Sequence, residues 1–204
     1  MLRRDGDDYE VVSNGVFLMD TRDGRSERLL VTAALDAVAT PGSVLIGGLG
    51  VGFSLTAALA DDRAESVTVV EIEQRIVDWH ATHLRAWSRG GLHDPRVTLV
   101  VGDLARHVAG SSAAYDVVCV DVDNGPSWTV TPANDSLYGA EGTRRMLAAV
   151  RPGGVLTVWS ARAEPAYEQL LRAEGCDVQV LTVEVPRGEP DVIYLARPRA
   201  PTSR

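Results

Sequence analysis

Apolar positions in this chain come in short, unbroken, β-branched runs separated by stretches with helical spacing. Residues 44–47 read Val-Leu-Ile-Gly after Pro41-Gly42, and residues 66–70 read Ser-Val-Thr-Val-Val. Residues 97–101 read Val-Thr-Leu-Val-Val, 116–120 Asp-Val-Val-Cys-Val, and 154–159 Gly-Val-Leu-Thr-Val-Trp. Continuous runs of this length, rather than strict alternation, predict parallel strands buried on both faces. Between them, residues 53–60 are rich in Leu and Ala, and residues 73–88 carry Ile76, Val77, His80, Leu84 and Trp87 at helical spacing. Residues 140–150 repeat the pattern and stop at Arg151-Pro152-Gly153-Gly154; residues 164–173 predict a shorter helix.

Strand–helix alternation implies a parallel sheet with right-handed crossovers. Both ends of the chain depart from it. Residues 177–185 and 191–196 are strand-like and joined only by a turn at 186–190, so they should pair antiparallel. Residues 9–13 and 16–19 flank Asn14-Gly15, a two-residue hairpin signal, and residues 26–38 read as an amphipathic helix. The expected fold is α/β: a doubly wound, mostly parallel seven-stranded sheet with a C-terminal antiparallel hairpin and a small N-terminal β-hairpin. The expected division is 1–40 for the hairpin and helix, 41–197 for a nucleoside-binding catalytic unit, and 198–204 for a disordered tail.

Composition narrows the chemistry. A chain of 204 residues suits one domain with a small appendage. No apolar run reaches the 18 or so residues of a membrane span, and Met1 to Asp8 lead into no secretory signal. The net charge is −8 and the sequence contains no lysine. The first removes the basic footprint a duplex nucleic-acid binder needs. The second removes Schiff-base chemistry and a phosphate-gripping P-loop. Cys119 and Cys176 are too few for a disulfide scaffold, so a cytoplasmic protein is expected. No metal site is expected: His80 and His83 share a helix face without a third ligand, and His93 and His107 are isolated.

Four constellations carry candidate chemistry. Gly48, Gly50 and Gly52 lie between a strand and a helix, where glycine permits a tight turn and close approach of a ligand to the backbone. Phe53 stands where the dinucleotide G-x-G-x-x-G fingerprint needs its third glycine, which disfavours a nicotinamide oxidoreductase. Glu71 ends the next strand, placed to accept both ribose hydroxyls of a nucleoside. Asp103, after Gly102, could accept from an adenine amino group or cap the helix that follows. Ile72 and Leu104 flank these acids and are counted with them as cofactor-binding. Asp121, Asp123 and Asn124 cluster beyond the fourth strand, where open α/β sheets bind ligands. Asp121 follows an apolar strand, so desolvation should raise its basicity and suit it to general-base work. Trp128 and Tyr138, in a long loop, are candidate aromatic walls for a cationic substrate.

Taken in order, Val44 to Gly52, Val69-Val70-Glu71-Ile72-Glu73, Asp94-Pro95-Arg96-Val97, Gly102-Asp103, Tyr115-Asp116-Val117-Val118 and Asp121 resemble the spermidine synthase family. The resemblance implies the class I methyltransferase fold and S-adenosylmethionine or its decarboxylated form as co-substrate. It implies that Glu71 holds the ribose, Asp103 the adenine, the glycines the back of the nucleoside, and that Asp121 sits beside a reacting amine. A small amine acceptor and a homodimer as one possible assembly go with it. This chain lacks an acid inside the glycine loop, has Ser26-Glu27-Arg28-Leu29-Leu30, without the Tyr and His, where the family carries a Tyr-His-Glu segment, and has Asn124 at the second acid of the acidic loop. The acceptor, or the transferred group, is therefore expected to differ. A methyltransferase with a non-polyamine acceptor and a non-catalytic nucleoside-binding homologue are the alternatives.

Overall fold

Alternate positions of the central strands face two separate hydrophobic cores. A computed structural model describes residues 1–13, 15–129, 134–186 and 188–199. Three strands, β1 (Leu2–Asp5), β2 (Asp8–Ser13) and β3 (Val16–Asp20), form a small antiparallel sheet, and α1 (Arg25–Asp36) leads into the main body. There follow β4 (Ser43–Gly47), α2 (Phe53–Leu59), β5 (Ser66–Glu71), α3 (Gln74–His80), α4 (Arg85–Ser88) and β6 (Val97–Val101). The second half comprises α5 (Leu104–Ala109), β7 (Tyr115–Val120), α6 (Asp135–Tyr138), α7 (Ala140–Ala149), β8 (Val150–Ser160), α8 (Pro165–Ala173), β9 (Cys176–Val183) and β10 (Asp191–Pro198). The main sheet has the order β6-β5-β4-β7-β8-β10-β9. The first five of these strands pair parallel, and β10 is antiparallel to both β8 and β9. This is the expected seven-stranded sheet with its C-terminal hairpin.

On one face, Val44, Ile46, Val117, Cys119 and Ile193 pack against Leu30, Val31 and Leu35 of α1 and Leu55 of α2. On the other, Leu45, Val118, Val120, Leu156 and Tyr194 pack against Val108 of α5, Met146 of α7 and Leu171 of α8. Two buried faces explain why the strands read as unbroken apolar runs. Each such side chain contributes about 1.5–3 kcal/mol from burial. The two cores therefore fix where the strand tips stand.

Four expectations change in detail. The N-terminal hairpin is three-stranded, because β1 pairs with β2 from Leu2↔Val11 to Asp5↔Asp8. Leu-Arg-Arg-Asp has no apolar alternation to announce a strand. It is held by the main-chain ladder and by ion pairs, Arg3 with Glu10 and Arg22 with Asp5, Glu10 and Asp20. Gly15 takes φ +81° in the expected turn, whose Asn14 lies outside the described residues. The helix expected over 73–88 is two short helices. Between them the Leu84 N–H donates to the Trp79 carbonyl at 2.8 Å, which brings Ser88 under Gly52. At the C-terminus β10 runs to Pro198, and Arg199 donates its N–H to Gly175 at 3.1 Å and its guanidinium to Asp177 at 2.8 Å. Residues 198 and 199 are thus tied to the sheet, and the rest of the expected tail, 200–204, lies outside the described residues. The long loop before α7 contains α6, and its residues 130–133 lie outside the described residues.

Candidate functional site

The carboxyl tips of β6, β5, β4 and β7 stand side by side and carry, in that order, Asp103, Glu71, the glycine loop and Asp121. Gly48, Gly50 and Gly52 take φ +92°, +50° and +95°, the left-handed region that favours glycine. The Gly48 N–H donates to Val70 at 2.9 Å and the Gly52 N–H to Leu49 at 2.9 Å. Glu71 stitches the loop to its own strand: one carboxylate oxygen accepts from the Leu49 N–H at 2.9 Å, the other from the Glu73 N–H at 2.8 Å. Burial raises the Glu71 pKa, and these backbone donors oppose the rise. A carboxylate has about four lone-pair sites, so it can accept ribose hydroxyls as well.

Asp103 caps α5, accepting from the Ala105 N–H at 2.7 Å and the Arg106 N–H at 3.4 Å. The helix-cap role expected for it is therefore present. Beside these acids, Ile72 is 40% exposed and Val101, paired with Glu71, is 47% exposed. Two exposed aliphatic side chains at adjoining strand tips offer a flat ring an apolar bed. Gly102 lies between Val101 and Asp103. Leu104 is buried beneath Gly47, where it supports the loop from below.

A cavity of about 880 Å³ opens next to the loop. Of the residues singled out from sequence, Gly50, Gly52, Asp121, Asp123, Asn124 and Trp128 line it; Gly48, Glu71, Ile72, Gly102, Asp103, Leu104 and Tyr138 do not. The nucleoside acids thus form a ledge along the strand tips, and Asp121 belongs to the cavity beside it. The two regions touch. A Cβ on Gly48 would overlap the Asp121 backbone carbonyl, and the Glu71 charge acts on the Asp121 carboxyl. Asp123, at φ +52°, has a carboxylate oxygen that accepts from the Asn134 amide at 2.8 Å. Trp128 stands at the rim, half exposed, with the Arg162 guanidinium 6.0 Å from its ring centre. The turn between β9 and β10 reaches this rim, with Pro186, Gly188 and Glu189 lining the cavity.

Tyr138 is a correction. It is buried, its ring packs edge-to-face on Tyr167 at 5.9 Å, and its hydroxyl donates to the Val122 carbonyl at 2.8 Å. α6 turns the ring inward, so it braces the acidic loop from behind instead of forming a wall of the cavity. Trp159, at the end of the apolar run over 154–159, also lines the cavity.

Of the further acids that line the cavity, two act electrostatically with Asp121 and were not singled out from sequence: Glu27 on α1 and Asp191 at the start of β10. The Ser26 hydroxyl donates to Asp191 at 2.6 Å and lies 3.1 Å from Glu27. The Ser54 hydroxyl donates to Asp121 at 3.0 Å. Burial raises Glu27 to about 8, with the Asp121 charge adding to it. Burial likewise raises Asp121 to about 6, with Asp191 and Glu71 adding to it. Asp191 is raised by burial. The cavity therefore holds three carboxyl groups that resist ionising together, a setting that a cation relieves.

This has a consequence for stability. The folded state holds the Glu27 proton more tightly than the unfolded chain does. Stability from this group is full below the unfolded pKa near 4.5 and is lost as pH rises through about 8. Glu27→Gln should raise stability above pH 8 by about 2 kcal/mol, roughly 4–8 °C in Tm. The gain should vanish well below pH 4.5, where both states are protonated. Thermal unfolding at the two pH values checks this, and a pH-independent difference refutes it.

The spermine/spermidine synthase domain matches residues 25–178, well over half of the chain. A polyamine aminopropyltransferase of Aeropyrum pernix is 33% identical over 131 residues, 62% of this chain and 40% of that protein. Putrescine N-methyltransferase 1 of Nicotiana tabacum is 34% identical over 129 residues, 63% of this chain and 33% of that protein. The chain thus spans two fifths or less of the length of these relatives. Among solved structures, a spermidine synthase in complex with the transition-state analogue AdoDATO superposes with TM-score 0.77 at 18% identity, covering 92% of this chain and 66% of that one. Human methyltransferase-like protein 13 in complex with SAH superposes with TM-score 0.65 at 19% identity, covering 88% and 85%. These neighbours show the fold, a class I methyltransferase sheet. The domain match, running from α1 through the glycine loop, Glu71, Asp103 and Asp121 into β9, shows that the chain belongs to the spermine/spermidine synthase family.

Proposed function

We propose that this protein transfers an alkyl group from S-adenosylmethionine, or its decarboxylated form, to a nitrogen of a small amine. The observation that carries the reading is the junction of two surfaces. A nucleoside ledge of Glu71, Ile72, Val101 and Asp103 adjoins a cavity whose floor holds Asp121, Glu27 and Asp191. The ledge fits the donor's adenosine: acceptors for ribose hydroxyls, an apolar bed, and a loop close enough for backbone contact. The donor, when bound, supplies an electrophilic carbon on a sulfonium sulfur.

The residues of the chain supply the rest. Asp121 holds the acceptor nitrogen and takes its proton as the new N–C bond forms. The C–S bond breaks with its electron pair passing to sulfur, so the sulfonium becomes a neutral thioether. Asp191 attracts a cationic acceptor, Glu27 pairs with it on giving up its proton, and Trp128 at the mouth adds an aromatic face. Orientation within a cavity that excludes bulk water makes the main contribution to rate. Relatives named for aminopropyl transfer and for putrescine methylation match about equally well, which supports an amine acceptor and leaves both donors within the proposal. A cytoplasmic location and a homodimer belong to the same reading. Among the described residues no helix is long and apolar enough to cross a membrane.

Titration with each donor tests the proposal. At about a hundred times its Kd, the true donor should raise Tm by roughly 5–10 °C. The other should do so only at much higher concentration. No shift with either, nor with S-adenosylhomocysteine or 5′-methylthioadenosine, would sink the reading.

A further inference from the structure

His80, the last residue of α3, lies behind the glycine loop and is only 4% exposed. Its Nε2 is 2.9 Å from the Gly50 carbonyl oxygen. A carbonyl only accepts, so Nε2 carries the proton and donates. Burial disfavours a charged ring, so Nδ1 is left as a bare acceptor; it is buried and has no partner among the described residues. A buried polar atom left unpaired is costly, and something must hold the ring in that orientation. The ring is confined on its other side, because Cε1 lies 3.1 Å from where a Cβ on Gly52 would stand.

The loop has reason to need such a restraint. Three of its residues are glycines at positive φ, the least restrained backbone available. Gly48 N–H, Leu49 N–H and Gly52 N–H are fixed by Val70, Glu71 and Leu49. The Gly50–Val51 peptide is fixed by His80 through its carbonyl. In a planar trans peptide the N–H points opposite to the carbonyl. The Val51 N–H therefore points away from His80, on the side of the cavity that Gly50 and Val51 line, and it makes no hydrogen bond among the described residues.

Resting on the donor reading above, we propose that His80 is a positioning residue of the donor site. Its imidazole holds the Gly50–Val51 peptide so that the loop keeps its nucleoside-receiving shape and turns the Val51 N–H toward the cavity. The donor's tail, next to its sulfur, is what that N–H meets. His80 touches neither donor nor acceptor and acts through the peptide it holds.

The test compares His80→Leu, which removes the hydrogen-bond donor, with His80→Gln, whose side-chain amide can reach the same carbonyl. Amide hydrogen exchange of residues 47–53 in the ligand-free protein is the first measurement. It should rise about tenfold in His80→Leu and stay within about threefold of the parent in His80→Gln. Calorimetric binding of 5′-methylthioadenosine is the second; its Kd should rise about tenfold in His80→Leu and be restored by His80→Gln. Equal exchange in His80→Leu and the parent overturns the proposal. So does a loss in His80→Gln as large as in His80→Leu, since ring volume would then be what matters. If the parent binds no adenosine thioether, the donor reading fails by itself, and the exchange contrast still decides whether His80 holds the loop. Should His80→Leu not fold, His80→Met removes the same hydrogen bond with a more adaptable side chain and takes its place.

Discussion

Asp121→Asn should lower turnover by roughly 10²–10⁴-fold, the usual contribution of a positioned general base, while donor binding stays within about threefold. The substitution keeps the shape of the side chain. It removes the charge that the Ser54 hydroxyl supports at 3.0 Å and that Asp191 and Glu71 disfavour. The donor ledge, built from Glu71 and Asp103 on other strands, is left in place. The pH profile gives a second signature. Asp121 works ionised, and burial with neighbouring acids lifts its pKa to about 6. Turnover of the parent should therefore climb through an apparent pKa near that value, and the variant should lose that limb. Unchanged turnover with the same pH profile would remove Asp121 from the chemistry. A fall in turnover that tracks weaker donor binding would make Asp121 part of the donor site instead.

Asp121 was legible from sequence because its position has a general meaning. An acid that directly follows Val117-Val118-Cys119-Val120 must stand at a strand tip, whatever the rest of the fold does. The glycine loop and Glu71 were legible for the same reason, as were the strands, whose unbroken apolar runs record burial on two faces. Glu27 gives no such sign. On an amphipathic helix a glutamate beside Arg28 reads as part of the solvated face, and only folding makes it otherwise. Asp191 lies 165 residues from Ser26, whose hydroxyl it accepts, and Asp121 arrives from a third element. The one local hint was positional: Ser26-Glu27-Arg28-Leu29-Leu30 stands where the family resemblance implies a Tyr-His-Glu segment. Tyr138 failed in the opposite sense. An aromatic ring in a polar loop suggests a wall, but a short helix turns the ring into the core against Tyr167.

Under the proposed function, the same cavity still offers carboxyl groups to a cation although neither the glycine loop nor position 124 carries an acid. Asn124 is neutral where the family resemblance implies an acid, and it is buried, with its backbone N–H donating to the Trp128 carbonyl at 3.3 Å. The further carboxyl groups near Asp121 are Glu27 on α1, which burial keeps protonated up to about pH 8, and Asp191 on β10. A cationic acceptor that satisfies them would sit differently from one held by the acidic loop. In this chain acceptor preference should therefore follow α1 and β10 more closely than the loop after β7.

Gly48→Ala should be a severely damaging single methyl addition. A Cβ there would overlap the Asp121 carbonyl and lie 3.3 Å from Val122 Cγ1, and φ is +92°, a region alanine adopts only under strain. Gly90→Ala separates the two costs: φ there is +69°, and a Cβ meets nothing within 4 Å. Strain by itself should make Gly90→Ala cost about 1 kcal/mol. Gly48→Ala should cost about 3 kcal/mol or more, a fall of roughly 6–12 °C in Tm. Relief requires the loop to retreat from β7 or Asp121 to retreat from the loop. Either movement separates the donor from its base, so the folded fraction of Gly48→Ala should bind 5′-methylthioadenosine weakly or turn over as poorly as Asp121→Asn. A Gly48→Ala protein as stable as Gly90→Ala, and fully active, would mean that the tips of β4 and β7 do not meet as described. The donor and the general base would then no longer share a junction.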